Sequence, residues 1–491
     1  MNIGISTHLP DAARRGSAVL ITAAVLALSG CAVNTPPSDV AAPVPGQWQP
    51  APAVNGPGAD LRAWWSGWND AALVQMVDAA QQASPDVSAA LTRIAQARAA
   101  QVDAGAALLP GVDATAAISR GNTLTGAAPV TQSSAGLAVA WEIDLWGRNA
   151  ANARAAGQRT LGAQAEWHDA RVAVAAEVAR QYVGAIACRY VARITESDAR
   201  SRTEVARLTR IKADAGLDAP AAAALAEGSA ALGRNEAVQA RARCAQGEKA
   251  LVALTALPEV TVRELLAAAA AGTPPQPPVP PVVLPAALLQ QRPDVYSAQR
   301  LVAAASADVG SAEAARYPSL VLTGQVGRLS QRGTATADSW SIGPLTLVVP
   351  VFDGGRRAAG AELSRVQYDD AVNRYRAIVR NAVREVEQAL IAVQSADQQR
   401  EDARRSAEGY RQALTAAQQR QAAGLGTLLE LEDVRRTTLV ADLALVTVQR
   451  DERLALIDLY RAAGGGWQAN DPTPDPLAQI RQANAPAAEP R

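Results

Sequence analysis

Between residues 137 and 145 the chain reads LAVAWEIDL, and Leu137, Val139, Trp141, Ile143 and Leu145 alternate with Ala138, Ala140, Glu142 and Asp144. A period of two predicts a strand with one apolar and one polar face. Further on, LTLVVPV places Leu345, Leu347, Val349 and Val351 on the matching face, and Pro344 and Pro350 interrupt pairing near its ends. Two strand pairs are expected, 111–121 with 133–145 and 319–330 with 339–351, joined by polar Gly, Ser and Thr-rich connections. Strands of about ten residues suit a tilted membrane span, with Trp141, Trp146, Trp340 and Phe352 as interfacial aromatics. Four strands cannot close a barrel and lipid tolerates no open edge, so a spanning sheet needs several chains. A soluble four-stranded sheet with one buried face fits the alternation equally well.

After each strand pair the period changes. No proline lies between Pro129 and Pro220, or between Pro350 and Pro472. From Arg148 to Gly216 is 216 − 148 = 68 residues, roughly 100 Å at the helical rise. Val372, Tyr375, Val379, Ala382, Val386, Ala389, Val393 and Ala396 step by three and four, the seam of a coiled coil. Each helix breaks at DAGLDAP (214–220) or AAGLGTL (422–428), where glycine supplies the left-handed cap that ends a helix. Two long helical hairpins are expected.

The two halves are one unit written twice. SPDV at 84–87 returns as RPDV at 292–295, and the offset 293 − 85 = 208 also pairs Pro110 with Pro318, Arg120 with Arg328, Gly147 with Gly355, Glu177 with Glu385 and Gly216 with Gly424. Ser84, Pro85 and Asp86 form a helix start: a capping hydroxyl, a proline suited to the first turn and an acid at the positive end of the helix dipole. The expected organisation is a signal peptide over 1–30, a tether over 31–60, a first repeat over 61–272 with its hairpin at 147–257, a proline-rich crossing over 273–284, a second repeat over 285–466 with its hairpin at 354–463, and a disordered tail over 467–491.

Composition narrows the function. Lys plus Arg and Asp plus Glu balance at 47 each, leaving no net field for nucleic acid. Aromatics are 4% with one phenylalanine, so small residues must pack helices along their lengths. His8 lies in the leader and His168 stands alone, which leaves no histidine triad or metal cluster, and no cofactor is expected. FDGGRR lacks the glycine spacing and lysine of a phosphate loop. Residues 14–31 give a basic pair, a short apolar run and a small-residue site ending in cysteine, the layout of an export signal. Leu28-Ser29-Gly30-Cys31 resembles a bacterial lipobox, which implies acylation of Cys31, and Ala32 after it implies the outer membrane. The following segment, rich in proline and small residues, is expected to be an extended tether with little fixed structure. Cys188 and Cys244 each lie 28 residues from Gly216. If Gly216 tips an antiparallel hairpin they face each other, and in an oxidising envelope a disulfide is expected there, with two buried free thiols as the alternative.

The lipobox, AWWSGWND (63–70), WEIDLWGR (141–148), RPDV, YPSLVLTG (317–324) and PVFDGGRR (350–357), together with the duplication, resemble a TolC-like outer membrane factor of the NodT lipoprotein branch of resistance-type drug efflux systems. The resemblance implies a mixed α/β membrane protein. Each chain would give four transmembrane strands and two coiled-coil-like hairpins, and a homotrimer would close a 12-stranded barrel continued by a periplasmic helical barrel. It implies a passive exit duct from an inner-membrane pump through a periplasmic adaptor. A periplasmic gate maps onto Leu429, Glu430 and Asp433, where Glu432 departs from an apolar pattern. Adaptor docking maps onto the tips Ala215, Gly216 and Leu217 with Ala423, Gly424 and Leu425. The acids also fit a solvated helix face, and the tip leucines also fit packing beneath the turn. A lipid-anchored coiled-coil adaptor or structural lipoprotein is the rival reading, and it has no use for paired strands.

Overall fold

The computed structural model describes residues 33–51, 63–122, 129–271, 278, 289–331, 336–473 and 475. The leader, Cys31, most of the 273–284 crossing and the tail beyond 475 lie outside the described residues, while Trp467 at the start of that tail is buried. After a short 3-10 turn at Ser66–Trp68, the helices are α1 Ala71–Ala83, α2 Pro85–Ala106, α3 Arg148–Asp214, α4 Pro220–Thr255, α5 Glu259–Ala271, α6 Pro293–Ala314, α7 Arg356–Ala422 and α8 Leu428–Ala462. The strands are β1 Gly111–Gly121, β2 Val130–Ile143, β3 Ser319–Gln331 and β4 Ala337–Val348. The offset of 208 holds for the starts of α2 and α6, β1 and β3, α3 and α7, and α4 and α8. No helix among the described residues is long and apolar enough to cross a membrane.

The chain divides into two compact units, the first made of Met1–Ala41, Gln96–Leu161 and Gln299–Arg374 and the second of the remainder. The first holds one antiparallel sheet in the order β1-β2-β3-β4, open at β1 and β4. Its register aligns Val112 with Val139, Leu137 with Val326, and Val326 with Trp340. The pleat therefore puts these residues on one face together with Ile118, Trp141, Leu320 and Leu322. Between Leu322 and Gly324 the register shifts, so that Leu322 opposes Leu345 while Gly324 opposes Ile342. One extra residue reverses the side-chain parity. Trp340 and Ile342 thus share the face that Leu345 and Leu347 continue, a change the simple alternation missed. Pro344 sits in this bulge, and pairing stops at Val348 rather than continuing to 351. Trp146 lies past the end of β2 and stacks on Tyr317 at 4.8 Å while its indole N–H donates to the Pro318 carbonyl at 2.7 Å. It pins the strand ends to the turn after α6.

The second unit is built on the AWWSGWND segment. Trp64 is buried and stacks on Tyr460 at 4.5 Å, with Trp65 and Trp68 edge-on to it. Asp70 caps α1, accepting from the Ala72 and Leu73 amides at 3.1 and 3.2 Å, and also accepts from the Tyr182 hydroxyl at 2.5 Å. Around this aromatic nucleus α1, α5, α8 and the middle of α3 and α7 share one apolar core. Neither α1 nor α5 was anticipated, because both are short and their apolar residues are mostly alanine and valine.

The tether expectation needs correction for residues 33–51. In the first unit the Ser306 hydroxyl donates to the Pro36 carbonyl at 2.6 Å, the Tyr368 hydroxyl to Pro37 at 2.8 Å, and the Gln299 amide to Asp39 at 2.9 Å. In the second, Trp48 is buried in the core, the Gln49 amide donates to Glu387 at 3.2 Å and the Gln394 side chain donates to Ala51 at 2.8 Å. An extended proline-rich segment makes no hydrogen bonds to itself, so its carbonyls are available to side chains of neighbouring helices. The segment is a strap.

Candidate functional site: the sheet face and the hairpin tips

The sheet's apolar face lies open in the single chain. Ile118, Trp340 and Ile342 are 81%, 77% and 83% exposed, and Phe352 just past β4 is 92% exposed. A contiguous apolar face of this kind marks contact with lipid or protein. Both edge strands also present unpaired backbone.

The hairpins begin with helix caps fixed by their own sequence. Asp144 accepts from the Ala150 amide at 2.7 Å and opens α3, and Asp353 accepts from the Gly355 and Arg357 amides at 3.0 and 3.3 Å and opens α7. In α4, Ala223, Ala226, Ala230, Gly233, Ala237, Ala240 and Cys244 step by three and four and are buried against α3. Cys188 and Cys244 are joined by a disulfide with Cα atoms 5.5 Å apart. The tips share one geometry. Gly216 and Gly424 have φ of +72° and +73°, and the amides after them, of Leu217 and Leu425, donate back to Lys212 and Arg420 at 2.8 and 2.9 Å. Only glycine takes this left-handed turn without cost. Leu217 and Leu425 are 79% and 74% exposed, so neither packs beneath its turn.

Just past the second tip, Thr427 and Glu430 form a capping box. The Thr427 hydroxyl accepts from the Glu430 amide at 3.2 Å, and the Glu430 carboxylate accepts from the Thr427 amide at 3.1 Å. Leu429 is exposed, and Asp433 is exposed and paired with Arg436 at 2.7 Å. Glu432 has the opposite environment. It accepts from Arg435 at 2.5 Å and from the Ser229 hydroxyl at 2.7 Å. Arg435 is 2% exposed and also reaches Ser201 at 3.0 Å and Asp198 at 3.8 Å, while Arg202 donates to Asp198 at 2.6 Å and to Ser229 at 3.3 Å. Burial pushes the Asp198 carboxyl upward, against the opposing pull of Arg202 and Arg435. This network ties the start of α8 to α3 and α4. Sequence reasoning missed it, although Arg202 falls on the seam between Ala199 and Ala206, where a charge demands a partner.

RPDV also has a tertiary role. The Arg292 guanidinium is buried and donates to Asp294 at 3.0 and 2.8 Å, to Glu385 at 2.9 Å and to the Ala462 carbonyl at 3.0 Å. It joins the start of α6 to α7 and the end of α8.

The family model for outer membrane efflux proteins matches residues 76–257 and 284–465, two stretches 284 − 76 = 208 residues apart. The chain belongs to the outer membrane efflux protein family. It is 31% identical over 462 residues to the pyoverdine export outer membrane protein OpmQ of Pseudomonas putida, covering 91% of this chain and 97% of that protein. It is 31% identical over 471 residues to the outer membrane protein OprJ of Pseudomonas aeruginosa, covering 92% and 95%. The solved structure of the outer-membrane channel OprN superposes with a TM-score of 0.78 at 26% identity, covering 89% of this chain and 98% of that one. This member of the family is an efflux channel of the cell outer membrane, with the paired strands and helical hairpins of that fold.

Proposed function

We propose that three copies of this chain close the sheet into a twelve-stranded barrel and the hairpins into a periplasmic tunnel, a passive exit duct for small molecules. The observation that carries this reading is the open sheet, whose exposed apolar face and two unpaired edges are satisfied together only by edge-to-edge closure in lipid. A pump in the inner membrane and a periplasmic adaptor would deliver the cargo, and no bond is broken on the way. The exposed Leu217 and Leu425, each beside the glycine of a tip, suit docking by adaptor helices. Acylation of Cys31 would add a lipid anchor ahead of the strap.

At the tunnel end, three-fold symmetry turns Leu429 into an apolar collar and Asp433 into a ring of carboxylates, which gate by dewetting and by charge. Exposed Asp433, paired with Arg436, and exposed Glu430, which also closes the capping box, both suit the ring better than Glu432, which is held by the buried Arg435. Single-channel current of the detergent-purified protein, with its mass from light scattering, tests the reading. Small cation-preferring steps from a trimer are expected, with higher conductance and weaker cation selectivity in Glu430→Ala with Asp433→Ala. A conducting trimer with unchanged values would remove the gate residues. A monomer without current would return the function to an adaptor or scaffold.

A further inference from the structure

The second unit contains a groove that the channel reading leaves unused, and we propose that it binds a saccharide chain. It has a volume of about 460 Å³, within the usual range for ligand clefts. Its position depends on three glycines after α8. Gly464, Gly465 and Gly466 all have positive φ, and a Cβ on Gly464 or Gly465 would collide with the Gln291 carbonyl or the Val172 side chain. The chain therefore turns back closely enough for Trp467 to reach Tyr296, 5.1 Å away, and to form part of the groove wall.

One wall is aromatic. Trp65 is half-buried and edge-on to Tyr460 at 4.8 Å, so part of the indole remains open beside the groove. The polar lining is held in position. Arg171 donates to the Gln81 side-chain oxygen at 3.1 and 2.9 Å, and the Gln81 amide donates back to the Arg171 carbonyl at 3.2 Å. Asp78 is exposed on α1 beside them, and Ser66 adds a hydroxyl. His168 lines the same space, and its Nε2 is enclosed without a hydrogen-bond partner. Burial and Arg171 hold its imidazole down to about 4, so the ring is neutral at pH 7.

Asp78 and Asp471 oppose the single guanidinium of Arg171, and that guanidinium is already held by Gln81, so the groove does not suit phosphates or other polyanions. Donors and acceptors instead line the groove together with aromatic rings. Sugar rings match this arrangement, with a C–H face to lie on an indole and hydroxyls that both donate and accept. The ligand could be a soluble oligosaccharide or a glycan strand of the cell wall.

The test uses the full-length, detergent-purified protein. Tri-N-acetylchitotriose is titrated by calorimetry, and purified cell-wall sacculi are used for co-sedimentation. Saturable binding is expected, weakened at least tenfold by Asp78→Ala and unchanged by Glu408→Ala, with the unfolding midpoint of each variant confirming an intact fold. Sacculi that retain the protein and release it to chitotriose identify the glycan strand, and binding to chitotriose alone identifies a soluble sugar. No saturable binding to either probe, including loss of access because a second copy covers the groove, overturns the proposal. Equal affinity in Asp78→Ala and wild type overturns it too. None of these outcomes bears on conductance, so the channel reading stands or falls separately.

Discussion

The two hairpins share a plan and differ in how they are fastened. Cys188 and Cys244 join α3 to α4 covalently, and 208 residues later the same positions are Ala396 and Glu452. There α7 and α8 are joined by Arg400 donating to Glu452 at 2.7 Å, with Arg411 paired to Asp442 at 2.8 Å. The return helices also start differently, α4 on Pro220 and α8 on the Thr427–Glu430 box. Duplication copied the backbone course, and the side chains that hold it diverged. The first hairpin needs its staple more, since its α4 seam is nearly all alanine, which buries little apolar area per turn.

The sharpest way to break this contrast is to remove the charge that both hairpins share. Arg435→Ala should destabilise the folded chain by about 3–5 kcal/mol, because Glu432 then loses its guanidinium partner inside the network while Asp198 keeps Arg202. Chemical denaturation measures it, and a loss below ~1 kcal/mol would mean that the network is solvated. Next comes the staple. With the cysteines 56 positions apart in sequence, Cys188→Ser with Cys244→Ser should cost about 4 kcal/mol by loop entropy. The partly exposed pair at the equivalent site is weaker, so Arg400→Ala should cost at most about 1 kcal/mol. Equal losses would show that the two fastenings are interchangeable.

A third comparison uses pH. The folded His168 titrates near 4 against an unfolded value of 6.5, so the folded state binds fewer protons. Its contribution is present above pH 6.5 and is lost as pH falls toward 4. His168→Gln should therefore flatten the stability profile across that window, while the disulfide variant keeps the wild-type slope. An unchanged slope in His168→Gln would place the proton uptake elsewhere. A small effect also belongs to the helix starts. Glu430→Ala removes half of the box and should cost about 1 kcal/mol, read as a lower unfolding midpoint, whereas Ala222→Gly at the equivalent turn of α4 tests only helix propensity, also near 1 kcal/mol. Similar effects would be expected of two caps, and a far larger one at Glu430 would assign it work beyond capping.

The hairpins, their glycine tips and the duplication were legible because each rests on local chemistry that sequence displays directly. Positive φ selects Gly216 and Gly424, and proline-free runs permit helices of 67 residues. The strand pairs were legible for the same reason, up to the register shift at Leu322/Gly324, which depends on what lies opposite. The strap over residues 33–51 was not legible, because its composition describes only the free segment, and Trp48 needed a core to enter.

The sequence by itself determined where the helices start, turn and end, that one unit occurs twice, and that the sheet has one apolar face, since periodicity, glycine and proline act over a few residues. Only the tertiary structure decided the partners. It placed Arg435 between Glu432 and Asp198, Arg292 against Glu385 and the Ala462 carbonyl, and Trp65, Asp78 and His168 around one groove. Such contacts join residues hundreds of positions apart, and a buried charge or an open ring acquires its role only from the groups that folding brings beside it.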